Sequence, residues 1–139
     1  MLKSILILSS VLVISLLTAG CGRPSVIKAS PGQEFSLAVS QRAELTGEDL
    51  IVTFKDVSED SRCPKNVTCI WEGRAVCNLT VQKTGVTGEL VLTQPGLTLT
   101  PATQEYQGYQ YSFRVEPYPE AGKNIAKSDY RLVMNIRRK

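Results

Sequence analysis

The sequence has no histidine, and this absence excludes whole classes of functional site. A Ser–His–Asp or Cys–His arrangement needs an imidazole as its base, and a histidine-ligated metal site needs one as a ligand. The chain also shows neither a collagen-like glycine period nor an internal repeat of roughly 20 to 50 residues, so a fibre or a solenoid is not expected. The common hydrolases are therefore poor candidates, and we assign no catalytic residue and no cofactor.

The chain carries little excess charge. It holds 16 Lys and Arg against 13 Asp and Glu over 139 residues, which is the length of one domain. A nucleic-acid-binding domain would show a concentrated basic face, so no nucleic-acid partner is expected. One basic bias lies between Lys123 and Lys139, where six cations oppose Asp129. We interpret this segment as a solvated last strand and tail, with contact to anionic lipid headgroups or envelope polymer as the alternative.

No apolar run is long enough for a typical membrane-spanning helix, which needs about 20 residues. The longest run covers residues 5–17, is interrupted only by serines and follows Lys3. A positive charge followed by a short apolar run is typical of a secretory signal peptide, which we place at residues 1–20. An uncleaved membrane anchor is the alternative, because no charge occurs over residues 4–22.

The predicted signal peptide leads into Leu17-Thr18-Ala19-Gly20-Cys21, which resembles the lipobox of bacterial lipoproteins. This resemblance implies a diacylglycerol thioether on Cys21, cleavage before it and, in many bacteria, acylation of the new amine with a chain such as palmitate. Several chains on one cysteine would hold a domain stably, because each buried methylene contributes about 0.8 kcal/mol. The implied location is outside the cell interior, at the outer face of the cytoplasmic membrane or at the outer membrane. Ordinary cleavage beside an incidental cysteine is the alternative.

Three cysteines remain after Cys21, an odd number that needs an explanation in an exported protein. Cys63 and Cys69 are separated by a loop with proline and asparagine, and we favour a disulfide between them. The alternative pairing is Cys69–Cys77. Cys77 shares one face of an alternating segment with apolar residues, which is typical of a buried thiol. Most structural zinc sites need four donors, so no metal is assigned.

Beyond residue 30 the apolar residues recur with a period of two. The alternating or β-rich segments are residues 35–39, 50–57, 75–81, 86–92, 97–99, 109–115 and 130–136. Turn residues such as Ser30-Pro31-Gly32 separate them. This pattern predicts an all-β domain over residues 31–139, an antiparallel β-sandwich of about six to eight strands that is immunoglobulin-like or a small barrel. Residues 21–30 are predicted to be the lipidated cysteine and its tether, and Asp129-Tyr130 is loosely similar to the tyrosine corner of immunoglobulin-like sandwiches.

Residues 56–73 are the least generic part of the chain. A strand with the pattern Phe-x-x-Val leads there to Asp-Ser-Arg-Cys-Pro, a second cysteine and Trp-x-Gly. The residues of this pattern are Phe54, Val57, Asp60, Ser61, Arg62, Cys63, Pro64, Cys69, Trp71 and Gly73. The segment resembles one in small bacterial exported proteins, and the resemblance extends weakly to residues 117–119 and 128–130. It implies no particular activity. Cys77 is not part of this pattern, so the resemblance supports the pairing of Cys63 with Cys69.

Two compatible interpretations of this segment lead to different roles for its side chains. In the structural one, Asp60 caps a turn and pairs with Arg62. Trp71 then covers one end of the core, and Gly73 allows a close approach. In the functional one, the stapled loop is a preorganised recognition surface with Trp71 and Arg62 as anchors, since Trp and Arg are enriched among binding hot spots.

Aromatic residues near the C-terminus form a second candidate surface. Tyr109, Tyr111 and Phe113 share one face of a predicted strand, which is typical of a core. Tyr106 and Tyr118 lie outside that run and are candidates for exposed contacts, for example with a glycan.

These observations favour a membrane-anchored envelope lipoprotein that acts as a binding or structural module. Its expected partners are the lipid bilayer, through Cys21, and an envelope protein or glycan. A protease inhibitor that presents the disulfide-closed loop is the alternative. A histidine-free hydrolase, using Ser61 with Lys65 or Glu59 with Asp60, is a weaker alternative.

Overall fold

A computed structural model describes residues 25–97 and 100–139 of the chain. The predicted signal peptide and Cys21 lie outside the described residues, and so does Leu99. Within the described part, no helix is long and apolar enough to cross a membrane.

The described residues form nine β-strands in two sheets, which confirms the predicted all-β sandwich. The strands are β1 (Val26–Ala29), β2 (Glu34–Ala38), β3 (Arg42–Leu45), β4 (Leu50–Asp60), β5 (Arg74–Lys83), β6 (Val86–Pro95), β7 (Ala102–Tyr106), β8 (Tyr109–Glu116) and β9 (Arg131–Arg138), with a short 3₁₀ helix at Lys127–Asp129. The first sheet has the order β1-β3-β4-β5-β6, and the second has the order β2-β9-β8-β7. Among these strands, β1 and β3 pair in parallel, and the other neighbours are antiparallel.

The core lies between the sheets and follows the period of two in the sequence. Four alternate residues of β5 and four of β8 are buried, and most inward residues of β4 and β9 join them in one cluster. Tyr109, Tyr111 and Phe113 are each at most 1% exposed, so their interpretation as core residues is confirmed. Cys77 is fully buried in the same cluster.

Three strands were not predicted from the sequence, and one predicted strand is displaced. The segment assigned as a tether contains β1, which belongs to the first sheet. β3 and β7 are likewise short strands that the period of two did not reveal. Leu97, expected in a strand, lies in the turn after β6.

The connection between β4 and β5 marks one end of the sandwich, which we call the loop end. β4 finishes there and β5 begins there, since Asp60 pairs with Ala75. β6 also finishes there, because Pro95 pairs with Arg74. We call residues 61–73 the stapled loop. It is the segment that the sequence singled out.

Candidate functional site

A disulfide closes the stapled loop. Cys63 and Cys69 are bonded, with their Cα atoms 5.9 Å apart, so the favoured pairing is confirmed and the Cys69–Cys77 alternative is wrong. Cys77 keeps a free thiol in the core. Burial raises the pKa of that thiol to about 12, so it stays protonated and unreactive at neutral pH.

We call the two ends of the stapled loop, where it joins β4 and β5, its root. Arg62 fixes this root from inside the protein. Its Nε and Nη2 atoms donate to the two carboxylate oxygens of Asp60, each over 2.7 Å. Nη1 donates to the carbonyl of Val115 over 2.7 Å, and Nη2 also donates to the carbonyl of Pro117 over 3.0 Å. The predicted Asp60–Arg62 pair is thus present. Because Arg62 is only 3% exposed, it cannot serve as the surface anchor that the sequence suggested.

The carboxylate of Asp60 also reaches the second sheet through Tyr130. The Tyr130 hydroxyl donates to Oδ2 of Asp60 over 3.0 Å. Burial, followed by the charge of Asp60, raises the pKa of Tyr130 to about 12. This contact is not that of a tyrosine corner, to which the sequence is loosely similar, since a tyrosine corner bonds back to the main chain a few residues upstream. Here the hydroxyl bonds instead to a side chain at the end of β4.

Tyr118 is a second support of the loop root rather than an open contact surface. Its ring lies below the guanidinium of Arg62, with 5.2 Å from Cζ to the ring centroid. Its hydroxyl donates to the carbonyl of Cys63 over 2.9 Å and lies against the carbonyl of Gly96. The Lys65 ammonium lies 6.0 Å from the centroid of the same ring. Tyr118 is half-buried, and its polar atom is already engaged.

A side chain of the first sheet and one of the stapled loop bind the main chain of β8 at a point where β7 no longer pairs with it. The β7–β8 pairing starts at Phe113, so Val115 lies beyond it. Oε1 of the buried Gln94 accepts a hydrogen bond from the Val115 N–H over 2.6 Å, and Arg62 donates to the Val115 carbonyl. Sequence reasoning missed Gln94. A polar residue at an inward position of β6 was the available signal.

Glycine allows the two ends of the loop to approach closely. Gly73 has a φ of +65°, and a Cβ at this position would lie 1.7 Å from the carbonyl oxygen of Ser61. A Cβ on Gly96 would lie 1.8 Å from the carbonyl oxygen of Glu72. The close approach predicted at Gly73 is therefore present, and β6 ends directly against the loop.

The far side of the stapled loop presents apolar side chains to solvent. Ile70 is 93% exposed, Trp71 is 81% exposed and Val67 is 45% exposed. We call these three residues the apolar tip. The expectation that Trp71 covers the core is wrong, because nearly all of its surface is accessible. The exposed tip stands on a root in which Arg62 and Asp60 are hydrogen-bonded to each other and shielded from solvent.

A cleft of about 570 Å³ lies beside the loop root, and its walls carry charges of both signs. Arg114 in this wall donates to Glu34 over 2.7 and 3.0 Å and to Glu116 over 2.9 Å. These carboxylates raise the pKa of Arg114 well above its usual range. Arg131 donates to the carbonyls of Ser128 and Tyr130. The two arginines of the cleft are thus held by groups of the protein itself.

Tyr106 lies at the opposite end of the sandwich from the tip. It pairs with Tyr109 at the start of β8, whereas the loop root contacts the end of that strand. Tyr106 is half-buried, its hydroxyl accepts a hydrogen bond from Gln107 Nε2 over 3.3 Å, and it packs against Gly88. The structure therefore does not bring Tyr106 together with Trp71.

Ser61 and Glu59, two of the residues considered for hydrolysis, are engaged by neighbouring groups. Ser61 Oγ donates to Oε1 of Glu59 over 3.0 Å, and Arg74 donates to both carboxylate oxygens of Glu59. Hydrogen bonds from Arg74 and then from Ser61 lower the pKa of Glu59. Among residues 25–97 and 100–139, no group of three or more metal-ligating side chains is placed to hold an ion.

No protein-family model, curated protein or solved structure matches the chain.

Proposed function

We propose that the chain is an exported bacterial lipoprotein, anchored through Cys21, whose β-sandwich is a binding module that acts through the apolar tip. The observation that carries this proposal is the exposure of Ile70 and Trp71 on a loop with a rigid root. The lipobox-like segment before Cys21 supports the anchor and the extracytoplasmic location.

A rigid loop that exposes a tryptophan is suited to binding. Tryptophan supplies a large apolar surface and is enriched among the residues that dominate interface energies. The disulfide and the Arg62–Asp60 pair fix the loop before any partner arrives. Binding to such a loop costs little further conformational entropy. The buried position of Arg62 therefore supports the proposal, because it keeps the exposed tip in one shape.

Two measurements test the proposal. Mass spectrometry of the mature protein is expected to find Cys21 as the first residue, carrying acyl chains, and Cys21→Ala is expected to leave the membrane fraction. A photo-crosslinking residue at position 70 is expected to capture a contact in intact cells, whereas one at Val86, which is 64% exposed in another part of the molecule, captures none. An unmodified Cys21 would contradict the anchor. Equal labelling from positions 70 and 86 would contradict the binding role of the tip.

Protease inhibition is the second candidate function, because the disulfide ring exposes residues on its outer side. Val67 and Thr68 lie inside the Cys63–Cys69 ring and are both exposed, as a substrate-like segment would be. A panel of serine proteases, incubated with the protein and a chromogenic substrate, tests this function. Slow cleavage of the ring without inhibition would exclude it.

A further inference from the structure

We infer that the apolar tip contacts the lipid–water interface of the same bilayer that holds Cys21. This inference rests on the proposed lipid anchor and names the partner of the proposed binding surface. It follows from the direction in which the chain enters the sandwich, from the length of chain before β1, and from the chemistry of the tip.

The chain enters the first sheet from the loop end. Val26 pairs with Arg42 in the parallel β1–β3 pair, and Arg42 pairs with Thr53 in the antiparallel β3–β4 pair. β1 therefore runs opposite to β4, and its first residue is the one nearest the end at which β4 finishes, Asp60. Whatever precedes Val26 joins the domain on the side of the stapled loop.

The chain before β1 is too short to keep the loop end far from a membrane. Thr53, which lies level with the start of β1, pairs with Thr80 of β5, and Asp60 at the loop root pairs with Ala75. Five residues of β5 separate these two levels, so the loop root lies about 17 Å beyond the start of β1. Cys21 precedes Val26 by five residues, which span at most about 18 Å when fully extended. The distance from β1 to the bilayer that holds a lipid on Cys21 is therefore no greater than the distance from β1 to the stapled loop.

The side chains at this end suit the boundary between headgroups and acyl chains. Seven large apolar residues are exposed in the described chain, and four of them are at the loop end: Val67, Ile70, Trp71 and Leu97. Tryptophan favours the membrane interface, since its ring is apolar and its indole N–H can bond to water or headgroups. Lys65, in the same disulfide ring, is exposed and can extend its ammonium toward phosphate. The charges around the tip are of both signs, since Glu72 follows Trp71 directly. Apolar contact is therefore a stronger basis for membrane binding here than attraction to lipid charge.

Tryptophan fluorescence can test this contact directly, because Trp71 is the only tryptophan of the chain. The lipidated full chain is reconstituted into phosphatidylcholine vesicles, with and without lipids that carry bromine near the top of the acyl chains. We expect the brominated lipids to quench Trp71 emission and Ile70→Ser to reduce that quenching. Val86→Ser is the matched control, as it also removes an exposed apolar side chain, and it is expected to leave the quenching unchanged.

The outcomes separate this inference from the proposed function. If Cys21 carries lipid and the protein remains with the vesicles, but bromine does not quench Trp71, the membrane contact is wrong and the anchor stands. If Cys21 carries no lipid, the proposed anchor itself is wrong. If Trp71 becomes shielded only in native membranes that contain other proteins, the tip binds a protein partner and the membrane inference is overturned.

Discussion

The guanidinium of Arg62 donates four hydrogen bonds inside the protein, two to Asp60 and one each to the carbonyls of Val115 and Pro117. Its side chain is fully shielded from solvent, and that of Asp60 is 8% exposed. Removing two charges from water is unfavourable unless geometry and hydrogen bonds compensate for the lost hydration. The full set of acceptors meets that condition, so this single residue ties the stapled loop to the second sheet.

We expect Arg62→Ala to lower the free energy of unfolding by about 3–5 kcal/mol, because Asp60 would be left buried without its cation. Arg74→Ala is the matched control. Arg74 pairs with Glu59 on the same strand as Asp60, but their side chains are 58% and 41% exposed. Loss of such an exposed pair costs at most about 1 kcal/mol. Denaturant unfolding followed by circular dichroism measures both variants, and equal losses of stability would contradict the role given to Arg62.

At the scale of elements, most strands that the sequence predicts have a long alternating pattern, and the short β2 is predicted because Phe35, Leu37 and Val39 alternate with small residues. β5 and β8 each bury four residues at every second position, and the sequence shows this period directly. β1, β3 and β7 have four or five residues, of which at most two are buried. Unlike β2, these three segments have too few large apolar residues at alternate positions to establish a period, and their place in a sheet is decided by their neighbours.

Within the candidate site, too, only features that depend on local sequence could be predicted. Its disulfide and its close approach at Gly73 could be predicted, because both depend on local spacing and on one residue type. The burial of Arg62 could not, since two of its acceptors belong to residues more than fifty positions later in the chain. The exposure of Trp71 could not either, because an irregular loop has no period that assigns a side chain to the inside or the outside.

The loop predicts a contrast between two glycines. Gly73→Ala is expected to destabilise the domain strongly, because its Cβ would overlap the Ser61 carbonyl oxygen at 1.7 Å. Gly47→Ala is the matched control, since Gly47 has a φ of +78° but no atom within 4 Å of the added Cβ. The left-handed backbone alone costs about 1–2 kcal/mol at either position. Thermal unfolding of both variants isolates the contact, and equal shifts in Tm would contradict the close approach.

At the scale of the whole molecule, polar clusters join the two sheets at both ends of the core. At the loop end, the link runs from Asp60 and Arg62 to the second sheet. At the other end, Glu48 accepts hydrogen bonds from Tyr109 and from Arg138, the latter over 2.7 Å. The apolar cluster between them is thus closed at each end by groups whose hydrogen bonds are made.

The basic bias of the C-terminal segment does not form one cationic face. Arg138 pairs with Glu48, and Lys139 pairs with Glu105 at the end away from the loop. Lys123 lies in the connection before β9 and pairs with Glu120. Because the described cations of this segment are divided between the two ends, lipid charge is a weaker basis for membrane contact than the apolar tip.

The sandwich as a whole is expected to lose stability in alkali. Cys77 and Tyr130 have ordinary pKa values of 9.0 and 10.0, and burial raises the pKa of each to about 12 in the folded protein. The folded state therefore keeps protons that the unfolded chain releases. Their contribution is complete below pH 9 and is lost as pH rises from 9 to 12, by up to about 1.4 kcal/mol per group and pH unit. Denaturant midpoints at pH 8 and pH 11 measure this loss.

Tyr130→Phe, although less stable at pH 8 through loss of its bond to Asp60, is expected to show a smaller drop between the two pH values. A drop equal to that of the unmodified chain would mean that the Tyr130 phenol ionises as easily in the folded protein as in the unfolded one.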